Sequence, residues 1–170
     1  MYQYLRIFIS ICVGSIITIS HPVFSAEEID PIGHYSAWRA FKGVQDGKKT
    51  CFMAATPLHT SKKRDDVYLT VSRHPDDKQY NVITMMLGAP YRKGTTPTIG
   101  VDKNKVVAMF TNDDKAYIEK ATIEKQIINQ MIEGNVVRTQ GRSQRGTNLK
   151  DTFSLKGFTR ALEAITKECP

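Results

Sequence analysis

Histidine and cysteine are scarce in this chain, and several catalytic signatures are missing. Of the four histidines, His34, His59 and His74 lie beyond the N-terminal segment, and no two stand at a metal-binding spacing such as H-x-x-x-H. There is no G-x-S-x-G elbow to present a serine nucleophile. "GRSQRGTN" has glycines in a basic setting but lacks the G-K-[ST] ending of a phosphate loop and does not open a helix, so it reads as a hairpin turn. Acidic doublets at Asp65–Asp66, Asp76–Asp77 and Asp113–Asp114 sit in no calcium-type loop, and adjacent carboxylates on a strand point to opposite faces. No cofactor and no metal site is expected. The chain also shows no internal repeat, low-complexity tract or dividing linker, which leaves one domain.

The N-terminus has one positive side chain, Arg6, then an apolar run from Ile7 to Ile19, a break at His21–Pro22, and small residues at Ser25 and Ala26. A basic end, an apolar core and a small-residue exit in that order describe a secretory signal peptide. The run is shorter than the roughly 20 residues that span a bilayer. Cleavage after Ser25 or after Ala26 fits, so residues 1–25 are assigned to the leader and 26–170 to the domain. About 145 residues then remain, enough to build a real core. Losing Arg6 lowers the net charge from +7 to +6. In an exported protein that excess faces lipid phosphates, anionic glycans or no specific partner, rather than nucleic acid.

Of the three cysteines, Cys12 falls inside the leader, which leaves Cys51 and Cys169. An even pair in an oxidising compartment reads as a disulfide. More than a hundred residues separate the two, and closing so long a loop restrains the unfolded chain by at most about 5 kcal/mol.

Along the domain, "HYSAWRAF" (His34 to Phe41) alternates as one strand, followed by a glycine turn and a buried strand "TCFMAA" carrying Cys51. "PLHTSKKRDD" is a surface loop. "DVYLTVSRHP" and "YNVITMMLG" form a hairpin, with Val67, Leu69 and Val71 on one face of the first strand. "PYRKGTTPT" is loop, and two short strands flank a turn at Asp102–Asn104. From Thr122 the period changes: Ile123, Ile127, Ile128, Met131 and Ile132 mark a helix capped by Thr122 and closed by Gly134. Two more strands surround the Gln144–Gly146 turn. A last helix then stacks Phe158, Ala161, Leu162, Ile165 and Cys169, and Trp38 and Phe158 are expected as core anchors.

Basic residues concentrate in the last quarter: Arg138, Arg142, Arg145, Lys150, Lys156 and Arg160, with Lys62, Lys63 and Arg64 as a second run. On one strand face, Arg138 and Arg142 could hold an anion bidentately. Arg138, Arg142 and Arg145 are therefore the expected partner-binding residues. The alternative is a hydrolase of an envelope polymer using His74 with Asp76 or Asp77, although "SRHPDD" first reads as a strand end and a proline turn. A purely structural envelope protein is the third possibility.

The chain resembles the invasion-associated locus B family, exported proteins of Gram-negative bacteria. The resemblance rests on Trp38 in the first strand, "CFMAATP" (Cys51 to Pro57), "DVYLTVSRHP" (Asp66 to Pro75), "GAPYRKG" (Gly88 to Gly94), "MFTNDDKAY" (Met109 to Tyr117) and "SQRGTNLKDTFSLKGFTRAL" (Ser143 to Leu162). It implies a mainly β, immunoglobulin-like antiparallel β-sandwich with one or two added helices. It also implies a cleaved leader, a periplasmic or outer-membrane-associated location and a contribution to host-cell invasion. The family supplies no catalytic residues. The expected protein is thus non-enzymatic, with an envelope or host-surface component, anionic in character, as partner and peripheral membrane association as one form of that contact.

Overall fold

The computed structural model describes residues 29–170. The expected leader over residues 1–25 lies outside the described residues.

Twelve strands and two helices follow in order: β1 (Ile29–Tyr35), β2 (Trp38–Gln45), β3 (Lys48–Ala55), β4 (His59–Thr60), β5 (Val67–His74), β6 (Gln79–Leu87), β7 (Thr98–Val101), β8 (Val107–Ala108), β9 (Phe110–Asn112), β10 (Lys115–Tyr117), α1 (Ala121–Glu133), β11 (Val136–Arg142), β12 (Asn148–Ser154) and α2 (Phe158–Glu168). They form a seven-stranded sheet, order β1-β2-β3-β5-β6-β10-β9, and a five-stranded sheet, order β4-β12-β11-β7-β8. All pairings are antiparallel. The mainly β, sandwich-like architecture with two added helices is the one the resemblance implies.

Alternation decides which face is buried. On β5, Val67, Leu69 and Val71 are buried while Tyr68, Thr70 and Ser72 face outward. On β12, Leu149, Asp151 and Phe153 point in. One core joins both sheets and both helices. Trp38 and Phe158 meet edge to face at 5.1 Å within it, and the Trp38 indole N–H donates to the Ser154 carbonyl at 3.0 Å, tying β2 to β12. Helix α2 lies across β1, β2, β3 and β5 with Phe158, Ala161, Leu162 and Ile165 buried, as its period requires.

Three local expectations are corrected. "HYSAWRAF" is two strands, because Ser36 takes a left-handed φ of 59° and makes a hairpin in which Tyr35 faces Trp38. Thr122 does not cap α1: the helix starts at Ala121, two residues earlier than such a cap would place it, with Lys120 at the cap position and no side-chain cap. Ile132 is 42% exposed, because the five apolar positions spread over about half the helix circumference: Ile127, Ile128 and Met131 are buried, and Ile123 packs against the core from one edge. Gly134 does close the helix, in extended backbone. A side chain there would press on Val101, with its Cβ only 2.6 Å from Val101 Cγ1.

Candidate functional site

Cys51 and Cys169 form a disulfide across a separation of 118 residues, and both are fully buried. Cys51 lies opposite Arg73 in the β3–β5 ladder. The Arg73 Nε donates to the Cys169 carbonyl at 2.6 Å, its Nη1 donates to Asn81 Oδ1 at 2.8 Å, and its guanidinium stands 4.7 Å from the Tyr80 ring centre. Lys49 Nζ donates to the Glu168 carbonyl at 2.6 Å, and Lys42 Nζ meets the Glu168 carboxylate at 3.2 Å. Three cations thus gather where the α2 dipole ends and its carbonyls lack intrahelical partners. Burial pulls the Arg73 guanidinium below its usual range, with Tyr80 opposing. Sequence reading passed over Arg73, although it continues the inward series Val67, Leu69, Val71.

A second buried cation came out of a run that looked solvated. Arg64 Nη2 lies 2.7 Å from both carboxylate oxygens of Asp151, and its Nε donates to the Leu87 carbonyl at 3.0 Å. Tyr91 is buried nearby, and burial first, then the Asp151 charge, holds its hydroxyl well above the usual phenol range. Arg64 also lines an open groove of about 610 Å³ with Lys62, Asp65, Asp66 and Arg145.

The cationic surface expected from the last quarter lies on the outward face of the smaller sheet. On β11, Val137, Thr139 and Gly141 point inward, so Arg138, Gln140 and Arg142 point outward. Lys150 of β12 stands across from Gln140 on that face. No outward position of β11 or β12 is acidic. Among the described residues the ion pairs are Lys42–Glu168, Lys48–Asp77 and Arg64–Asp151, so Arg138, Arg142 and Lys150 have no carboxylate bridge.

Arg138 and Arg142 do share a face, but four residues of strand separate them by about 13 Å. Arg138 Nη1 donates to the Asp102 carbonyl at 2.9 Å, while Arg142 Nε donates to the Gly146 carbonyl at 3.0 Å, so the two side chains serve opposite ends of the strand. Arg145 sits in the turn beyond, on the groove with Asp65 and Asp66. The near neighbour of Arg142 is Arg92, which sequence reading did not single out. Its backbone N–H donates to the Arg142 carbonyl at 2.8 Å, and the adjacent Tyr91 bridges to Ser143, so residues 91–92 extend the sheet beside the end of β11.

His74 is half-buried at the end of β5. Its Nδ1 is 3.2 Å from Thr50 Oγ1 and its Nε2 is 3.0 Å from Ser72 Oγ. Asp76 accepts from the Lys49 backbone N–H, and Asp77 pairs with Lys48. Neither aspartate hydrogen-bonds the imidazole, whose partners are Thr50 and Ser72. Among the described residues no three His, Cys, Asp or Glu side chains cluster as metal ligands, and no helix is long and apolar enough to cross a membrane.

The sequence model of the invasion-associated locus B (IalB) protein family matches residues 38–166, so the chain belongs to that family. No curated protein and no solved structure matches it.

Proposed function

We propose that this member of the invasion-associated locus B family is an exported envelope protein that works by binding and not by catalysis. Its site is the outward face of the smaller sheet, and its partner is an anionic component of the envelope or of a host surface. One observation carries the reading: Arg138, Arg142 and Lys150 stand on one sheet face with no acidic residue among the outward positions of β11 and β12. Sequence alternation puts these charges on one side, and the packed core behind them keeps them there. Such a face gathers anions through its summed field and holds them with charge-assisted hydrogen bonds.

Family membership supports the envelope setting, as does the leader-like N-terminus with Arg6, the run to Ile19 and small residues at Ser25 and Ala26. Both support a periplasmic or outer-membrane-associated location, and the disulfide suits such an oxidising compartment. A role in host-cell invasion, or in envelope upkeep, would be exercised through this binding.

The test is co-sedimentation of the purified chain with isolated envelopes across a salt series. Electrostatic docking predicts binding at low ionic strength that falls steeply as salt shortens the screening length to about 8 Å at physiological strength and less beyond it. Binding indifferent to salt, or none at any salt, would overturn the reading.

A further inference from the structure

Two arginines on this face crowd one point. A Cβ placed on Gly146 would lie 3.2 Å from Arg92 Nη1 and 3.8 Å from Arg142 Nη2. Both guanidiniums therefore sit over the same turn, which three hydrogen bonds hold. The Arg92 N–H donates to the Arg142 carbonyl at 2.8 Å, the Gly146 N–H donates to the Ser143 carbonyl at 2.7 Å, and Arg142 Nε donates to the Gly146 carbonyl at 3.0 Å. Neither side chain has a carboxylate bridge among the described residues. Like charges side by side on neighbouring strands repel, and an anion between them turns repulsion into attraction.

We propose that Arg92 and Arg142 form a clamp over the Gly146 turn for a phosphate group; this rests on the reading that the face meets an anionic partner. With Arg142 Nε engaged, both terminal nitrogens of Arg142 and the whole Arg92 fork remain to donate. A carboxylate has two oxygens, which one fork satisfies. A tetrahedral phosphate presents enough oxygens for two forks and a charge that balances two guanidiniums. Gly146 leaves the approach open, its φ of 86° being one that a side chain rarely adopts. Arg138, about 13 Å along the strand, and Arg145, beside Asp65 and Asp66, stand outside the clamp. The phosphate could be free in solution or carried on a lipid headgroup, and the two sources are separable.

The purified chain is titrated with inorganic phosphate while the arginine side-chain N–H and Gly146 amide signals are followed by NMR. Arg92→Gln, Arg142→Gln and, as a control away from this face on α1, Lys125→Gln are compared with the parent chain. All three side chains are exposed, and unchanged melting temperatures verify the fold. The clamp predicts saturable shifts at Arg92, Arg142 and Gly146, an affinity about tenfold weaker in either clamp variant, and a change within about twofold in Lys125→Gln. Absence of those shifts, or an equal loss in all three variants, would overturn it. Vesicles containing phosphatidic acid, set against phosphatidylcholine alone, identify the source. Clamp-dependent vesicle binding assigns a headgroup, and phosphate binding without vesicle binding assigns a soluble phosphate. Salt-sensitive envelope binding that survives both clamp variants, together with absent phosphate shifts, would remove the clamp and leave the proposed function standing. Loss of envelope binding by the parent chain would remove that function whatever phosphate does.

Discussion

Arg64 and Asp151 are joined across 87 residues of chain, with Arg64 Nη2 at 2.7 Å from each carboxylate oxygen and both side chains at most 9% exposed. The contact ties the connection before β5 to β12. The same guanidinium holds the Leu87 carbonyl at the end of β6, so it clamps the larger sheet to the smaller.

Removing one partner strands the other charge in the interior. Arg64→Met should destabilise the fold by about 3–5 kcal/mol, whereas Arg64→Met with Asp151→Leu should recover much of that loss. Urea denaturation of the two single variants and the double variant checks this. Additive losses would mean the pair is not coupled.

The disulfide and Arg73 hold the same end of α2, so their effects should not add. Cys51→Ala with Cys169→Ala should cost about 3–5 kcal/mol. Arg73→Met in that background should cost less than it does with the disulfide intact, once the carbonyl it holds is free to fray. Thermal melts of the variants, with and without reductant, measure the coupling.

Two carboxylates give opposite pH dependences. Asp102 accepts from the Asn135 and Val136 N–H groups at 3.0 Å each, and these bonds, Asn135 first, hold it below its ordinary value of 3.8. A depressed carboxylate lends stability that is full above 3.8 and is lost as pH falls through the folded value. Asp102→Asn should therefore lose stability less steeply than the parent chain under acid. Glu124 is pushed above 4.5 by burial, with the Ile83 N–H pulling the other way. Its charge therefore weakens the fold as pH rises through the folded value. Glu124→Gln, which keeps an oxygen for Ile83, should be the more stable at neutral pH, with the gain gone below 4.5. Denaturation midpoints across the acid range test both signs.

Gly157 starts α2 with a φ of 89°, and a Cβ there would collide with the Tyr35 carbonyl oxygen. The space is filled by the turn between β1 and β2, so relief would require moving that hairpin. Gly157→Ala should cost about 1–3 kcal/mol by chemical denaturation. A neutral result would mean the hairpin yields.

Three parts of the fold were legible: the inward series on β5, the burial stripe of α2 ending at Cys169, and the pairing of Cys51 with Cys169. The break at Ser36 was not, because a left-handed serine carries none of the glycine or asparagine signals that announce a turn. Arg64 read as one of three solvated cations because its partner lies far away in sequence, and charge pattern alone says nothing about a contact of that range. The outward placement of Arg138 and Arg142 followed from alternation. The pairing of Arg142 with Arg92 depends on a loop crossing the end of β11, and no local pattern encodes that.

The measurement closest to the central claim compares two variants of equal net charge. One replaces Arg138, Arg142 and Lys150 with glutamine. The other replaces Lys115, Lys120 and Lys125, exposed cations on β10, before α1 and on α1. Co-sedimentation with isolated envelopes at low salt should fall sharply in the first and stay near the parent level in the second. Equal loss in both would reduce the binding to net charge, and binding retained in the first would contradict the assignment of the face.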